Sequence, residues 1–391
     1  MKPNLFRSII VGIMTDFARL TGLSPAGKVP RRYLWTDAFA VCNFLELYHQ
    51  TGDETYKQLA LNLVDQVHNI LGRHRDDDPR TGWISGLDED EGKKHPAKGG
   101  LRIGKKMKER RPSDPFNEGL EWDQDGQYYH YLTKWMHALN CASRVTGDLT
   151  YNRWAMELAK TAHVRFTYVP SFGCQKRMYW KMSIDLSYPL VLSMGAHDPL
   201  DGFITYNQLQ ATAAKDPERA TRPDLNVEIA DIAGICEGKC WGTDDPLGIG
   251  GLLSDAFRVA QLIVNKNFEK TDLLEILLED SLLGQEAYAR TNPLKLPADY
   301  RLAFRELGLS IGLRAVKKLQ GLIEENPVIF NQQHIQHSRI EALMRYLPLA
   351  ETIETFWLEP RNRKTNMWTE HRDINMVMLA TSLAPDGFLS V

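Results

Sequence analysis

Tryptophans followed within a few residues by carboxylates recur along this chain: Trp35 with Asp37, Trp122 with Asp123 and Asp125, Trp180 with Asp185, Trp241 with Asp244 and Asp245, and Trp368 with Glu370. Aromatic faces stack on the apolar faces of sugars, and carboxylates accept hydrogen bonds from hydroxyls. Two carboxylates held apart also supply a general acid and a general base. Tyr128, Tyr129 and His130 follow the second pair, and His371 and Arg372 follow the last. Around residue 300 the tryptophan is missing, and Asp299, Tyr300, Arg301, Arg305 and Glu306 stand there instead. Any single pair has an ordinary explanation, because acids favour the first turn of a helix and a tryptophan before a helix packs against it. Recurrence at matching places asks for elements that repeat.

The elements do repeat. Residues 35–56 and 128–151 are two amphipathic segments that both end in Thr-Gly-Asp and continue as Asp-x-Thr-Tyr into a second apolar-periodic run. Gly52 and Gly147 suit a helix C-terminus, where positive φ is needed, and Asp53 and Asp148 suit the N-cap of the next helix. Each Thr-Gly-Asp therefore reads as a tight corner between antiparallel helices. The alternation continues as a third helix over 183–194, turning at 195–199 into 201–214. It goes on as 248–263 with 271–289, as 299–319 with 334–357, and as a sixth helix over 370–383. That sixth helix has no partner after it, and the amphipathic helix expected at 4–21 has none before it. Pairing these two closes a ring of six hairpins. The expected fold is all-α, an (α/α)6 toroid forming one domain over residues 1–391, with a long charged loop at 72–121. No linker interrupts the rhythm, and alternating strand patterns are poor, although short strand hairpins fit the long loops.

The corners after the first helices are tight, and the connections leading into them are long. One face of such a ring carries elaborated loops, and a site is expected there, at the N-terminal ends of the inner helices, where free N–H groups and the positive dipole end lie. The Trp-acid start, the amphipathic helix and the Thr-Gly-Asp-x-x-Tyr corner resemble the six-hairpin glycosidase superfamily. It includes unsaturated glucuronyl hydrolases, N-acylglucosamine 2-epimerase-like proteins and related polysaccharide lyases. The likeness is specific in residues 35–71 and 122–165 and contains no contiguous match to the epimerases' histidine pattern. One scaffold of this kind hosts many chemistries.

The expected activity is glycoside cleavage on an anionic, uronate-like sugar, with Asp37 and Asp125 or Asp123 as the carboxylate pair. Trp35, Trp122, Trp180, Trp241 and Trp368 are the expected stacking walls. Tyr129, His130, Asp185, Arg301, Arg305, Glu370, His371 and Arg372 are expected to contact substrate. The basic stretch 93–111, after the acidic run 88–91, reads either as a self-compensating loop or as a lid over an anion, made mobile by Gly99, Gly100 and Gly104. The same fold also admits a polysaccharide lyase, with Tyr128, Tyr129 or His130 as base, a sugar epimerase, or a ring that binds a glycan or partner without turnover.

Other classes are disfavoured. A net charge of −3 gives no pull toward nucleic acid or anionic membrane, and no aromatic interleaving accompanies the basic loop. No apolar run approaches the roughly 20 residues of a membrane span. The expected partner is a small-molecule or oligosaccharide substrate. Five scattered cysteines argue against a disulfide framework and for a reducing cytoplasm. Cys236 and Cys240 are paired in sequence without a second pair nearby, so no metal and no cofactor is expected. Asp244-Asp245 alone is too little for a terpene-cyclase-like site, and Cys240-Trp241-Gly242 lacks the Cys-His-Gly partner of a lanthionine-cyclase-like zinc site. His49, His68, His137 and His163 fall inside helices and read as packing or surface residues.

Overall fold

The structure, a computed structural model, describes residues 3–27, 29–171, 175–216, 223–266, 268, 270–291, 293–330 and 334–391. These form two compact units, residues 18–238 and the N-terminal stretch to Phe17 together with residues 239–391. The amphipathic helix α1 (Pro3–Leu20) buries Ile10, Ile13, Met14 and Phe17. Through Phe17 it belongs to the unit that holds the last repeat.

In the unit of residues 18–238, α2 (Leu34–Thr51) and α3 (Glu54–Leu71) make one hairpin. The corner works as the sequence predicts. Gly52 takes φ 70°, and the Asp53 carboxylate accepts from Thr55 N at 2.9 Å. Thr51 adds a relay, since its hydroxyl donates to Leu47 O at 2.6 Å and accepts from Asp53 N at 3.2 Å. The short helices α4 (Glu89–Lys94) and α5 (Glu118–Asp123) and strand β1 (Gln127–Tyr128) come next. The second hairpin, α6 (Tyr129–Thr146) and α7 (Leu149–Phe166), repeats the corner atom for atom. Gly147 has φ 76°, Asp148 accepts from Thr150 N at 2.9 Å, and the Thr146 hydroxyl bridges Ala142 O and Asp148 N.

The third repeat departs from expectation. Residues 183–194 are not a helix: β4 (Lys181–Met182) and β5 (Pro189–Val191) pair antiparallel there, and β1 joins the other side of β4. A second ribbon pairs β2 (Thr167–Tyr168) with β3 (Arg177–Met178). Pro189 lacks the N–H that a helix interior requires, so the apolar residues around it fold as edge strands. The inner helix of the third repeat is α8 (Asp198–Ala213), which opens on Pro199 and packs against α6 and α9 (Asn226–Cys236).

The other unit is built the same way. The core helix α10 (Pro246–Val264) packs against α11 (Thr271–Thr291) and against α12 (Ala303–Glu325). Gly250 and Gly308 bring α10 and α12 close, since a Cβ on Gly250 would collide with Gly308 O. The outer partner of α12 is broken into α13 (Pro327–Phe330), α14 (His334–Met344) and α15 (Leu347–Leu358). Then come α16 (Asn366–Glu370), α17 (Arg372–Leu383), which packs on α12, and α18 (Asp386–Leu389). Helix α10 has the length and mean hydropathy (1.4) of a membrane span, which the sequence reading passed over; 72% of that window is buried, the environment of a core helix.

The loop 72–121 is fastened along its length. Arg73 lies 4.1 Å over the Trp83 ring and pairs with Glu89 at 2.7 Å. Arg80 pairs with Asp78 at 2.9 Å and with Glu109 and Asp185 at 2.7 Å each. Gly99, Gly100 and Gly104 are packed against neighbouring segments. Gly100 and Gly104 have φ of 78° and 93°. A Cβ at these three positions would strike Ser85, the Gln127 side chain and Arg32 O, respectively. They are glycines because backbone passes against its neighbours there.

Candidate active site

The two aspartates expected to act as acid and base are tied into the scaffold. Asp125 is fully buried. Its Oδ2 takes Arg75 Nη1 at 3.1 Å and Arg102 Nη1 at 3.0 Å, and its Oδ1 accepts from the N–H groups of Gly104, Lys105 and Gly126 at 2.9, 3.2 and 3.1 Å. Those five bonds leave little acceptor capacity for a substrate. Asp37 is also buried; its Oδ2 caps Tyr33 N at 2.9 Å and its Oδ1 lies 3.4 Å from Arg32. Both carboxylates secure the start of an inner helix and the loop over it. Asp123 is exposed at the end of α5, and Asp185 sits in the β4–β5 turn, not on a helix, bound by Ser183, Ser187 and Arg80.

An aromatic wall stands at the N-terminal end of α6. Trp122, 48% exposed, meets Trp180 edge to face at 5.0 Å. Tyr128 lies 5.3 Å from Trp180, and Tyr131 5.2 Å from Tyr128. The wall is held from behind by buried Lys181, which donates to Glu121 Oε1 at 2.9 Å and to the carbonyls of Glu121 and Gln124 at 2.7 and 2.9 Å. Arg110 closes on Glu121 Oε2 at 3.0 Å. This knot couples α5 to β4 and so sets Trp122 against Trp180. The Tyr33 and Tyr131 hydroxyls share a hydrogen bond of 2.6 Å.

His130 sits within this wall, its ring nearly parallel to Trp180 (16°, 6.4 Å) and 4.7 Å from Tyr131. Its Nδ1 is buried without a hydrogen-bond partner and faces Asp198 Oδ1 at 3.7 Å. Because Nδ1 is buried, the exposed third of the side chain is the rest of the ring. Burial among aromatics holds His130 down to about 4, against the pull of Asp201. Burial and then the Asp201 charge push Asp198 up to about 8. Asp201 itself is satisfied by Thr133 and by Lys134 Nζ at 2.7 Å, whereas Asp198 Oδ2 is buried without a hydrogen-bond partner. Burial thus works against charge on both groups, and each keeps a buried atom without a hydrogen-bond partner.

Several expected contacts turn out to be core. Trp35 is buried against Phe39 and Tyr131. Tyr129 is buried and its hydroxyl donates to Tyr206 at 2.8 Å. In the other unit, Trp241 is buried, with its backbone N–H donating to Asp280 Oδ2 at 2.7 Å. Arg301 is buried, bidentate to Glu306 at 2.6 and 2.8 Å, and stacked on Phe356 at 3.7 Å. Trp368 is buried and stacked on Trp357 at 5.5 Å. An aromatic in contact on all sides has no face left for a ligand. Asp245 caps α10, accepting from Leu247 N at 2.8 Å, and is paired with Arg305. Glu370 is exposed, His371 meets Phe304 edge to face at 5.5 Å, and Arg372 pairs with Asp373 at 3.2 Å.

Sequence reading missed Asp198 and the Tyr33–Tyr131 pair. The misplaced third helix hid Asp198; the Asp198-Pro199 step is a helix-start signal that would have found it. It also missed a buried cluster deeper in the same unit, Cys42, His137 and Cys141. Its visible trace was the i, i+4 spacing of His137 and Cys141. Cys174 lies outside the described residues; the other four cysteines form no disulfide with one another.

No family model matches the sequence, and no curated protein does. Among solved structures the chain is similar to the cellobiose 2-epimerase from Spirochaeta thermophila DSM 6192, with 13% identity, a TM-score of 0.50 and 97% of each chain covered. It also matches a sugar epimerase from a ruminal bacterium, at 10% identity and a TM-score of 0.47, over 90% of this chain and 87% of that one. At such identity the first likeness speaks for architecture and not for chemistry: this chain has the all-α, six-hairpin (α/α)6 toroid fold.

Proposed function

We propose that the chain is a sugar epimerase, moving a proton at the carbon beside a sugar carbonyl, with His130 as the base. The observation that carries this reading is the buried, unpartnered Nδ1 of His130 facing the Asp198 carboxyl, itself with an unpartnered buried oxygen, inside an aromatic wall. With Nδ1 turned to Asp198, the other ring nitrogen, Nε2, lies on the exposed part of the ring and is the atom that abstracts the proton. The open-chain sugar stacks on Trp122 and Trp180. His130 takes the C2 proton, the C–H electrons move into the C1–C2 bond, and the carbonyl oxygen becomes an enolate oxygen. Asp198 orients the imidazole and stabilises it once it is charged. Return of a proton to the opposite face of C2 inverts that centre. The Tyr33–Tyr131 hydroxyl pair is the donor for that face, and solvent water then takes the proton from the charged His130 and returns one to the phenolate, which restores both groups; burial keeps the Tyr131 phenol protonated well above its ordinary range.

Glycoside cleavage is less well supported. It needs an acid and a base free to reach the scissile oxygen and a water, and Asp37 and Asp125 are spent on arginines and backbone N–H groups. A uronate-like substrate is also disfavoured, since Arg75, Arg80, Arg102 and Arg110 are each paired with an acid. The proposed substrate is a neutral reducing sugar or short oligosaccharide. The fold likeness to a protein named cellobiose 2-epimerase agrees with this choice.

The test is incubation of the protein with a panel of neutral reducing mono- and disaccharides, followed by chromatography of the products. The C2 epimer of at least one sugar is expected. Free monosaccharides from a disaccharide would revive hydrolysis, and an ultraviolet-absorbing product from a uronate polymer would mean a lyase. Saturable binding without turnover would leave a glycan-binding protein.

A further inference from the structure

We propose that Cys42, His137 and Cys141 form a binding site for a thiophilic d10 metal ion, Zn2+ or Cu+, that clamps inner helices α2 and α6 together. The three ligand atoms lie within 4.8 Å of one another. All three residues are buried, Cys42 to 1%, His137 to 0% and Cys141 to 2% exposure. Sequence spacing puts His137 and Cys141 one turn apart on α6, and Cys42 comes from the facing side of α2.

The geometry fits coordination. With metal–sulfur and metal–nitrogen bonds of about 2.3 and 2.0–2.1 Å at a tetrahedral angle, the sulfur and nitrogen stand roughly 3.5 Å apart. Cys141 Sγ and His137 Nε2 are 3.5 Å apart. Soft thiolates with an imidazole are the donor set these ions prefer.

The tautomer is prepared as well. His137 Nδ1 meets Gln208 Oε1 at 3.0 Å. Gln208 is turned that way because its Nε2 donates to Asn140 Oδ1 at 2.7 Å. Asn140 is fixed in turn, donating through Nδ2 to Asn152 Oδ1 at 2.9 Å and Thr212 Oγ1 at 2.8 Å. An amide oxygen only accepts, so Nδ1 carries the hydrogen and the Nε2 lone pair faces the sulfurs. Arg144 Nη2 lies 3.4 Å from Cys141 Sγ.

The cluster lies about 10–16 Å along α6 from His130, at 1.5 Å per residue, so it does not touch the proposed proton transfer. It is independent of that reading.

The experiment uses the full chain, reduced and stripped with a chelator, then titrated anaerobically with Zn2+ or Co2+, and separately with Cu+ against a chromophoric Cu+ chelator. One equivalent of one ion is expected to bind, and Co2+ is expected to give a sulfur-to-metal charge-transfer band. Zn2+ against Cu+ is decided by which ion the native purified protein holds by mass spectrometry. Cys42→Ser and Cys141→Ser are expected to abolish the band. Gln208→Leu is expected to weaken binding about 10–100-fold with the fold intact by circular dichroism. The proposal is overturned if the folded, reduced chain takes up no stoichiometric ion, or if the serine variants bind as well as the native chain. It is equally overturned if the thiols are recovered as a Cys42–Cys141 disulfide whose reduction yields no uptake.

Discussion

The openings of α2 and α8 both carry buried aspartates, and the two are used in opposite ways. Asp37, with Asp125 in the loop alongside, is surrounded by arginines and backbone N–H groups, whereas Asp198 has a carboxyl oxygen without a hydrogen-bond partner and a histidine nitrogen opposite it in the same condition. A carboxylate that is fully hydrogen-bonded is part of the frame. A buried polar atom left without a partner costs free energy that a frame has no reason to carry, and a ligand can supply the missing bond.

Variants can break or sharpen this contrast. Replacing Asp125 by Ala strands Arg75 and Arg102 near a buried site and should cost about 3–5 kcal/mol of stability; an unchanged urea midpoint would deny the frame role. His130→Gln should change the stability read from urea unfolding by no more than about 1 kcal/mol but lower turnover by about 10²–10⁴-fold. Loss of both together would make His130 a packing residue instead.

The pH response divides the same way. His68, which accepts from Trp135 Nε1 at 3.1 Å, and His130 are held by burial at about 3 and about 4, below the ordinary 6.5. The unfolded chain binds those protons first, so their contribution is full above about pH 6.5 and falls as the pH drops toward 4. Asp198 acts in the other sense. Its raised value means the fold loses stability as pH rises from about 4 through about 8. Asp198→Asn should therefore remove that fall and change the stability profile by about 1–3 kcal/mol between about pH 4 and about pH 8. The smallest effect is expected at the wall: Trp122→Ala should raise KM about 3–10-fold with kcat nearly kept, the size of one lost aromatic contact.

Much of the fold was legible because hairpin corners are local. Thr51, Gly52 and Asp53 do their work within a few residues, and Thr146, Gly147 and Asp148 repeat it, so a reader of the chain finds them. The third inner helix, expected over 183–194, was misread because Pro189 and a cross-strand ladder override the helical reading there. The site was harder still. Counting tryptophans and acids finds the right end of the inner helices but not which acids are free. Asp125 is neutralised by Arg75 and Arg102, fifty and twenty-three residues away, and Asp185 by Arg80 across 105 residues. Trp35 also packs on Tyr131 and Trp241 is tied to Asp280, both far away in the chain. Local pattern gives residue type and place along a helix; the partner that uses up a charge comes from the tertiary fold.

The most direct measurement is deuterium uptake at sugar C2 in heavy water, followed by proton NMR for the native chain, His130→Gln and Asp37→Asn side by side. The account predicts uptake with the native chain, retention in folded Asp37→Asn, and loss in His130→Gln. Uptake that survives in His130→Gln and vanishes in Asp37→Asn would contradict it.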